Sequence, residues 1–327
     1  MTPQTEERTR PWSIRHRLRY AAAAHPVDTG GKPTPDTDAG RRYLMQEAIM
    51  PSPSTPTDKV LISHLNGVAT LTMNRPKRLN GWTADMLEAL KEALNTVASD
   101  PAVKAAIVTG KGRYYCAGVH MGGALMVAHP KEVHATITAH NEAVFGMFLN
   151  FPKPILVAAN GPVIGAATTS ATLCDGIIAA EEATFSTPFA ALGVSPEGCS
   201  SVLFPRLLGP KTAERMLGSE GWVPDAAEAK AAGLIQWVVP GEALMTEAQR
   251  IAEGWVKGDA KRSYRGDSDL DELRAVNARE SVGVADSFLS AYFLKNQFKF
   301  LWRKGKRKPA GMFLSLWLTR PLWSRML

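Results

Sequence analysis

Hydrophobic and polar positions alternate through KVLISHLNGVATLTMNRP, residues 59–76, in two short runs that Asn66 and Gly67 separate. Alternation with a period of two is typical of a strand that buries one face. An Asn-Gly pair between two such runs favours a tight two-residue turn. This segment therefore predicts a β-hairpin.

The hydrophobic period becomes helical after Thr83, in TADMLEALKEALNTVA. Threonine is favoured at the start of a helix because its hydroxyl can accept a hydrogen bond from an unpaired backbone N–H. We expect one face of this helix to be buried, and its members recur at helical spacing: Met86, Leu87, Leu90, Leu94 and Val97.

Further along the chain, four short apolar runs predict buried strands: AAIVTG, PILVAANG, GIIAAE and LIQWVV. Helices are predicted in EVHATITAHNEAVFGMFLNF, GPVIGAATTSATLCD, PKTAERMLG, DAAEAKAAG and residues 242–257. Strands that alternate with helices over about 200 residues indicate an α/β fold whose sheets are mostly buried.

The composition fits a soluble globular protein with a sizeable core, since 45% of the 327 residues are apolar and 21% are charged. No apolar run reaches the roughly 18 residues that predict a membrane span. The cysteines, Cys116, Cys174 and Cys199, are far apart in the sequence. They form no C-x-x-C pair, which argues against a disulfide framework and suits a reducing compartment.

The net charge of +7 arises from the C-terminal end of the chain. Nine Lys or Arg residues and no acid follow Asp286, and without those nine the net charge would be −2. The central part therefore lacks the basic surface that binds a phosphate backbone, and we expect no nucleic-acid partner.

Four regions are predicted along the chain. Residues 1–57 hold eight of the 22 prolines and no sustained apolar period, so they are predicted to be a disordered arm. Within the arm, RTRPWSIRHRLRYAAAA resembles an organelle transit segment, and a plain solvated arm fits it equally well. Residues 58–258 are the predicted core, 259–302 a helical region and 303–327 a basic and apolar tail.

Two loops that follow predicted strands, RYYCAGVHMGG and NGPVIGAATTSA, are rich in small residues. Small side chains let a ligand approach the backbone, and the start of a helix offers unpaired N–H groups. If the loops converge, two N–H donors can point at one oxygen and form an oxyanion hole. Tight packing of helix on strand also explains each loop taken separately.

A single acid, Glu197, lies in GVSPEGCSSVLFP, and no Lys or Arg follows it before Arg206. Pro196 and Gly198 beside it fit a β-turn whose carboxylate points into water. The alternative is a general base that a turn holds beside an apolar pocket. The local pattern does not decide between the two.

From about Lys59 to Lys257, the chain resembles the enoyl-CoA hydratase/isomerase (crotonase) superfamily. The order and spacing of five segments carry the resemblance: NRPKRLNGW, VTGKGRYYCAGVHM, KPILVAANGPVIGAATTSATLCDGIIAAEEATFSTPF, LGVSPEGCSS and DAAEAKAAGLIQWVV. It implies a crotonase-like spiral of ββα units with a C-terminal helical region, assembled as a homotrimer or a dimer of trimers. The implied substrate is an acyl-CoA, with no separate cofactor, because CoA is part of the substrate.

The resemblance also implies site residues. The oxyanion-hole donors are expected to be the backbone N–H groups of Ala117 and Ala166. Contacts to the substrate and its CoA are expected from Ala117, Gly118, Val119, His120 and Gly165. The acyl pocket is expected to contain Phe189, Leu192 and Val194.

Hydratases of this superfamily carry two glutamates that activate water, and Thr169 and Phe189 occupy those positions here. Neither side chain can act as a carboxylate base, so hydration is disfavoured. SPEGCSS and LRAVNARE are instead similar to peroxisomal-type Δ3,Δ2-enoyl-CoA isomerases of fatty acid β-oxidation, in which the acid matching Glu197 is the lone base. We expect apolar surroundings to raise the pKa of Glu197. Another acyl-CoA reaction, such as hydration, and a non-catalytic subunit of a larger assembly remain as alternatives.

No metal site is expected. The spacings of nine, five and six residues between His120, His129, His134 and His140 put no pair on one helical face. Cys116, beside the first loop, is predicted to be a packed thiol because no base is evident next to it.

The tail RKGKRKPAGMFLSLWLTRPLWSRML joins a basic cluster to a largely apolar run. The run is too short to span a bilayer, but it suits an interfacial membrane anchor or a contact with a larger complex. A solvated basic face followed by a helix packed on the protein's own trimer fits equally well. We expect a mitochondrial or peroxisomal location and no secretion.

Overall fold

The structure is a computed structural model that describes residues 58–119 and 129–327. The predicted arm of residues 1–57, with its transit-like segment, lies outside the described residues, as does His120.

Strands β1 (Val60–Leu65) and β2 (Val68–Met73) form the predicted antiparallel hairpin. The turn between them has positive φ at both positions, 50° at Asn66 and 78° at Gly67. Asparagine and glycine adopt this left-handed conformation more readily than other residues, which is why the pair marks the turn.

The other strands are β3 (Ala105–Gly110), β4 (Ile155–Ala159), β5 (Val163–Ile164), β6 (Gly176–Ala180), β7 (Phe185–Ser186) and β8 (Trp237–Val239). Six strands form one sheet in the order β1-β2-β3-β4-β6-β8, parallel from β2 onward. The other two, β5 and β7, form a small parallel sheet of their own. Every residue of β3, β4 and β6 is buried, as expected for parallel strands covered on both faces.

Eleven α-helices occur in the described ranges. They are α1 (Ala84–Ser99), α2 (Pro130–Leu149), α3 (Ala166–Thr172), α4 (Phe189–Leu192), α5 (Ser200–Leu208), α6 (Pro210–Leu217), α7 (Ala226–Ala231), α8 (Leu244–Lys257), α9 (Leu270–Phe288), α10 (Ala291–Arg303) and α11 (Arg307–Trp323). The predicted face of α1 is buried in full, whereas Thr83 donates its hydroxyl to Asp85 instead of capping a backbone N–H.

The segment GPVIGAATTSATLCD is not one helix, as the sequence predicted. Its first part forms β5, and α3 begins only at Ala166. Gly165 separates the two with φ 62° and ψ −126°, a conformation that does not continue a helix and that residues other than glycine rarely adopt.

Alternation along the buried strands divides the core between the two faces of the large sheet. Ala106 and Val108 of β3 face one cluster, which includes α1 and part of α2. Ala105 and Ile107 face a second, smaller cluster that α8 covers. The first of these faces leads toward the two small-residue loops.

Helices α10 and α11 form a hairpin with a hydrophobic cluster of its own, made by Phe293, Leu294, Leu301, Ala310 and Phe313. In the described ranges, none of the helices has the length and apolar character that crossing a membrane requires.

Candidate active site

A cavity of about 150 Å³ brings together residues from the two small-residue loops, α2, α9 and the segment around Glu197. Nine of the ten predicted site residues line it, and the tenth, His120, lies outside the described residues. The nine are Ala117, Gly118, Val119, Gly165, Ala166, Phe189, Leu192, Val194 and Glu197. The predicted convergence of the two loops therefore occurs in the structure.

Glu197 is turned into the protein, with 8% of its surface exposed. Two consecutive residues after it, Gly198 and Cys199, have positive φ of 65° and 62°, which redirects the chain toward α5. Gly198 also packs closely: a Cβ at this position would lie 2.5 Å from Cε1 of Phe145. This geometry excludes the simple turn in which the carboxylate points into water.

The carboxyl group of Glu197 accepts a hydrogen bond from Nδ2 of Asn141 at Oε2, with a distance of 2.7 Å. Burial raises the pKa of Glu197 from near 4.5 to about 7. The Asn141 hydrogen bond opposes this shift because it stabilises the charged form, and the negative charge of Glu280 adds to it. The direction is the one that the sequence predicted from the apolar surroundings.

Sequence reasoning missed Asn141 and the residue that orients it. Ser281 Oγ donates to Oδ1 of Asn141 at 2.9 Å, so the amide must present its Nδ2 to Glu197. The available signal was helical spacing, because Asn141 lies on the face of α2 that also brings Ile137, Val144 and Phe145 to the cavity.

A second buried carboxyl group, Glu280, was also missed. Its Oε2 accepts the N–H of Cys199 at 2.7 Å, and its Oε1 accepts the N–H of Ser201 at 2.9 Å. Burial raises the pKa of Glu280 as well. Glu280, which lies in α9, therefore uses both oxygens to bind the backbone immediately after Glu197 and fixes the conformation of this turn. We call this arrangement the clamp.

The two small-residue loops touch at Gly118, where a Cβ would lie 2.7 Å from the carbonyl oxygen of Ile164. The N–H of Ile164 donates to the carbonyl of Cys116 at 3.1 Å, which ties the loops together. Only a residue without a side chain allows this approach, and φ at Gly118 is also positive, 81°.

The assignment of Ala117 as an oxyanion-hole donor is wrong in this structure. The Ala117 N–H donates to the carbonyl oxygen of Leu79 at 2.9 Å, so it is not available to a ligand. Among the described residues, no acceptor takes the N–H of Val119 or of Ala166, which is the first residue of α3. These two residues both line the cavity.

Gly165 gives the cavity room beside the Ala166 N–H, because a Cβ built on Gly165 meets no atom within 4 Å. The acyl-pocket residues Phe189, Leu192 and Val194 line the same cavity. Thr169, at one of the two hydratase positions, is buried and donates its hydroxyl to the carbonyl of Ala166 at 3.2 Å.

Cys116 is fully buried, and its thiol donates to the carbonyl of Asn80 at 3.1 Å. Burial raises the pKa of this thiol to about 12. A thiol with such a pKa stays protonated at neutral pH and is a poor nucleophile. The part of the chain that the structure describes contains no cluster of three or more side chains suited to bind a metal ion.

The chain is similar in sequence to a family of known enzymes. The family model for enoyl-CoA hydratase/isomerase matches residues 63–280. An uncharacterized Caenorhabditis elegans protein is 35% identical over 241 residues, which are 70% of this chain and 91% of that protein. Mouse enoyl-CoA delta isomerase 3, peroxisomal, is 32% identical over 256 residues, 76% of this chain and 80% of the mouse protein.

Among solved structures, an enoyl-CoA hydratase/isomerase from Pseudoalteromonas atlantica superposes with a TM-score of 0.63 at 27% identity. The superposition covers 76% of this chain and 97% of the bacterial chain. Together with the family match, this confirms the resemblance and the crotonase-like α/β fold that the sequence predicted.

Proposed function

Because the chain belongs to the enoyl-CoA hydratase/isomerase family, we propose that it is an isomerase that moves the double bond of an enoyl-CoA from Δ3 to Δ2. The observation that carries this proposal is the placement of Glu197. Among the described residues that line the cavity, it is the one acid, and it is buried against apolar side chains.

One carboxylate is sufficient for this chemistry. Glu197 takes a proton from C2, and the electron pair of the C–H bond delocalises through C3 and C4 and onto the thioester oxygen as a dienolate. The carboxylic acid then returns the proton to C4, which leaves the double bond between C2 and C3. A pKa of about 7 suits a group that must first accept the proton and then release it.

The negative charge on the thioester oxygen requires donors, and we assign this role to the backbone N–H groups of Val119 and Ala166. Ala166 was expected from the sequence, and Val119 replaces Ala117. A donor of this kind contributes about 3 kcal/mol to transition-state stabilisation in other enzymes. The CoA contacts expected from residues 117–120 and Gly165 stay predictions.

Asn141 positions the base. It occupies Oε2 of Glu197, and the described residues give Oε1 no hydrogen-bond donor, so Oε1 is the oxygen proposed to face the substrate. Ser281 supports this arrangement because its hydroxyl fixes the orientation of the amide.

Hydration is the second candidate reaction. It needs a second carboxylate to position water, and the two hydratase positions hold Thr169 and Phe189 instead. Phe189 lines the cavity as part of its apolar wall. A non-catalytic role within a larger assembly stays the alternative that a lack of turnover would favour.

The test is turnover of a 3-enoyl-CoA by the full chain, followed by the ultraviolet absorbance of the conjugated thioester. We expect conversion by the wild-type protein and conversion slower on the order of 10³-fold by Glu197→Gln. The matched control is Glu132→Gln, an exposed acid in the first turn of α2, which should leave turnover unchanged. Hydration of a 2-enoyl-CoA at a greater rate than isomerisation would contradict the proposal.

The assembly and the location stay proposals. A homotrimer or a dimer of trimers, measurable by light scattering, follows from the family resemblance alone. The name of the mouse relative agrees with a peroxisomal location, and a mitochondrial location stays the alternative.

A further inference from the structure

The tip of the α10–α11 hairpin, residues 299–308, is a concentrated basic surface. Six of its ten residues are Lys or Arg, and no acid follows it in the chain. Two large aromatic side chains, Phe300 and Trp302, are 53% and 49% exposed at the same place. Arg307 lies over the Trp302 ring at 3.8 Å, and Lys304 lies 6.0 Å from the Phe300 ring, so cations and aromatics form one patch.

Within residues 58–119 and 129–327, no acid neutralises this charge. None of the ion pairs formed within the described ranges includes a cation of the tip. Lys306 is the residue before helix α11, Arg307 and Lys308 are its first two residues, and its first turn contains no acid. Cations at a helix N-terminus face the positive end of the helix dipole, so they oppose the stability of α11. Their placement indicates an anionic partner and not a role in folding.

The outer face of α11 carries exposed leucines that no other element covers in the part of the chain that the structure describes. Its inner face packs on α10 through Ala310 and Phe313. On the opposite side, Leu318 and Leu322 are 63% and 76% exposed, one helical turn apart. Two large leucines exposed side by side on one helix leave an apolar surface that water solvates poorly.

We propose that the hairpin tip and the outer face of α11 bind the surface of a bilayer that is rich in anionic phospholipids. The cations of the tip would contact lipid phosphates, and Trp302 would lie at the depth of the headgroups. The exposed leucines would reach the upper part of the acyl chains. The mode is attachment to one leaflet, because α11 has neither the length nor the apolar character of a spanning helix.

Two other occupants fit less well. A second copy of this chain in a two-fold contact would bring six cations against six cations, and like charges repel across such an interface. A single-stranded nucleic acid would use the cations and aromatic rings, but it would leave the leucines of α11 in water.

The experiment is flotation of the full chain with vesicles of phosphatidylcholine alone and of phosphatidylcholine with roughly 30 mol% phosphatidylserine. We expect binding only to the anionic vesicles, and a marked loss of binding in about 0.5 M NaCl, because salt screens exposed charges. Equal binding to neutral and anionic vesicles, or no binding to either, overturns the proposal.

The decisive variant removes three charges from the tip by combining Lys304→Gln, Lys306→Gln and Arg307→Gln. Its vesicle partition coefficient should fall on the order of 100-fold, because each of the three basic residues contributes about fivefold at an anionic surface. The control removes three exposed lysines elsewhere, Lys211, Lys230 and Lys257, each changed to Gln, and should bind almost as the wild type does.

A second variant, Leu318→Gln with Leu322→Gln, tests the apolar face separately. It should weaken vesicle binding by about tenfold or more and leave the secondary structure intact, because both side chains are exposed. Tight binding of an oligothymidine without binding to vesicles, or a loss of oligomeric state in the tip variant, would assign the patch to another partner and overturn the proposal.

Discussion

Glu197 and Glu280 are two buried carboxyl groups that differ in how many hydrogen bonds the surrounding protein donates to them. Both have a pKa raised by burial. Glu280 uses both oxygens to accept backbone N–H groups, whereas Glu197 accepts one amide hydrogen bond and lines the cavity. Burial alone therefore does not mark a catalytic base. The acid must also have an oxygen that the surrounding protein leaves without a donor.

The two acids are also linked in space. Glu280 holds the N–H groups two and four residues after Glu197, so it fixes the turn that presents the base. We therefore expect substitutions at the two positions to separate chemistry from structure.

The largest expected effect is on turnover. Glu197→Gln keeps the size of the side chain and removes the base, so kcat should fall on the order of 10³-fold with the circular dichroism spectrum unchanged. Glu280→Gln should lower kcat far less, by about tenfold at most, because Glu280 does not line the cavity and the amide oxygen still accepts one of the two N–H groups. If both variants lost activity to the same extent, the distinction between base and clamp would fail.

The next effect is on stability. Glu280→Ala leaves the buried N–H of Cys199 and the partly buried N–H of Ser201 without an acceptor, and a buried donor left unpaired costs about 1–3 kcal/mol. We expect the free energy of unfolding to fall by roughly 3 kcal/mol, measured by urea denaturation. A loss below 1 kcal/mol, about the cost of a single exposed hydrogen bond, would contradict the clamp.

Substitution of Glu197, in contrast to that of Glu280, is expected to increase the free energy of unfolding at neutral and higher pH. Its folded-state pKa of about 7 lies above the ordinary value near 4.5, so between these pH values the folded state holds a proton that the unfolded state has released. Stability therefore falls as pH rises from 4.5 to 7, by at most about 3 kcal/mol. Glu197→Gln removes this cost, and we expect it to be about 2 kcal/mol more stable than the wild type at pH 8.

Below pH 4.5 the two proteins should unfold at nearly the same denaturant concentration, because Glu197 is then protonated in both states. A stabilisation that does not depend on pH would show that packing, and not the buried charge, is responsible.

The smallest effect concerns the positioning of the base. Asn141→Ala removes a hydrogen bond that favours the charged carboxylate, so the pKa of Glu197 should rise further. In the wild type, kcat/KM should decrease as pH falls below about 7, because the base becomes protonated. In Asn141→Ala this decrease should begin at a higher pH. The variant should be about tenfold less active than the wild type below that pH and similar to it above. Ser281→Ala should shift the pH dependence of kcat/KM in the same direction by a smaller amount. If Asn141→Ala lowered kcat/KM equally at every pH, Asn141 would contribute through packing and not through the pKa of Glu197.

The sequence by itself determined the fold class, the hairpin at Asn66 and Gly67, the buried face of α1 and the position of Glu197. These follow from local patterns: the period of apolar residues, turn residues with positive φ, and motifs in a fixed order. The acyl-pocket residues were also within reach, because they lie in the short segment that precedes Glu197.

Only the tertiary structure decided which polar groups meet. Asn141 is 56 residues from Glu197 in the chain, and Glu280 is 81 residues from Cys199. Whether the N–H of Ala117 is free depends on Leu79, which lies in a different loop. Such partners are set by how helices and strands pack, and a hydrogen bond depends on tenths of an ångström that no spacing along one chain specifies. The sequence motif therefore predicted which loop provides an oxyanion-hole donor. Which N–H of that loop is free, Ala117 or Val119, depends on how the loop packs against the rest of the protein.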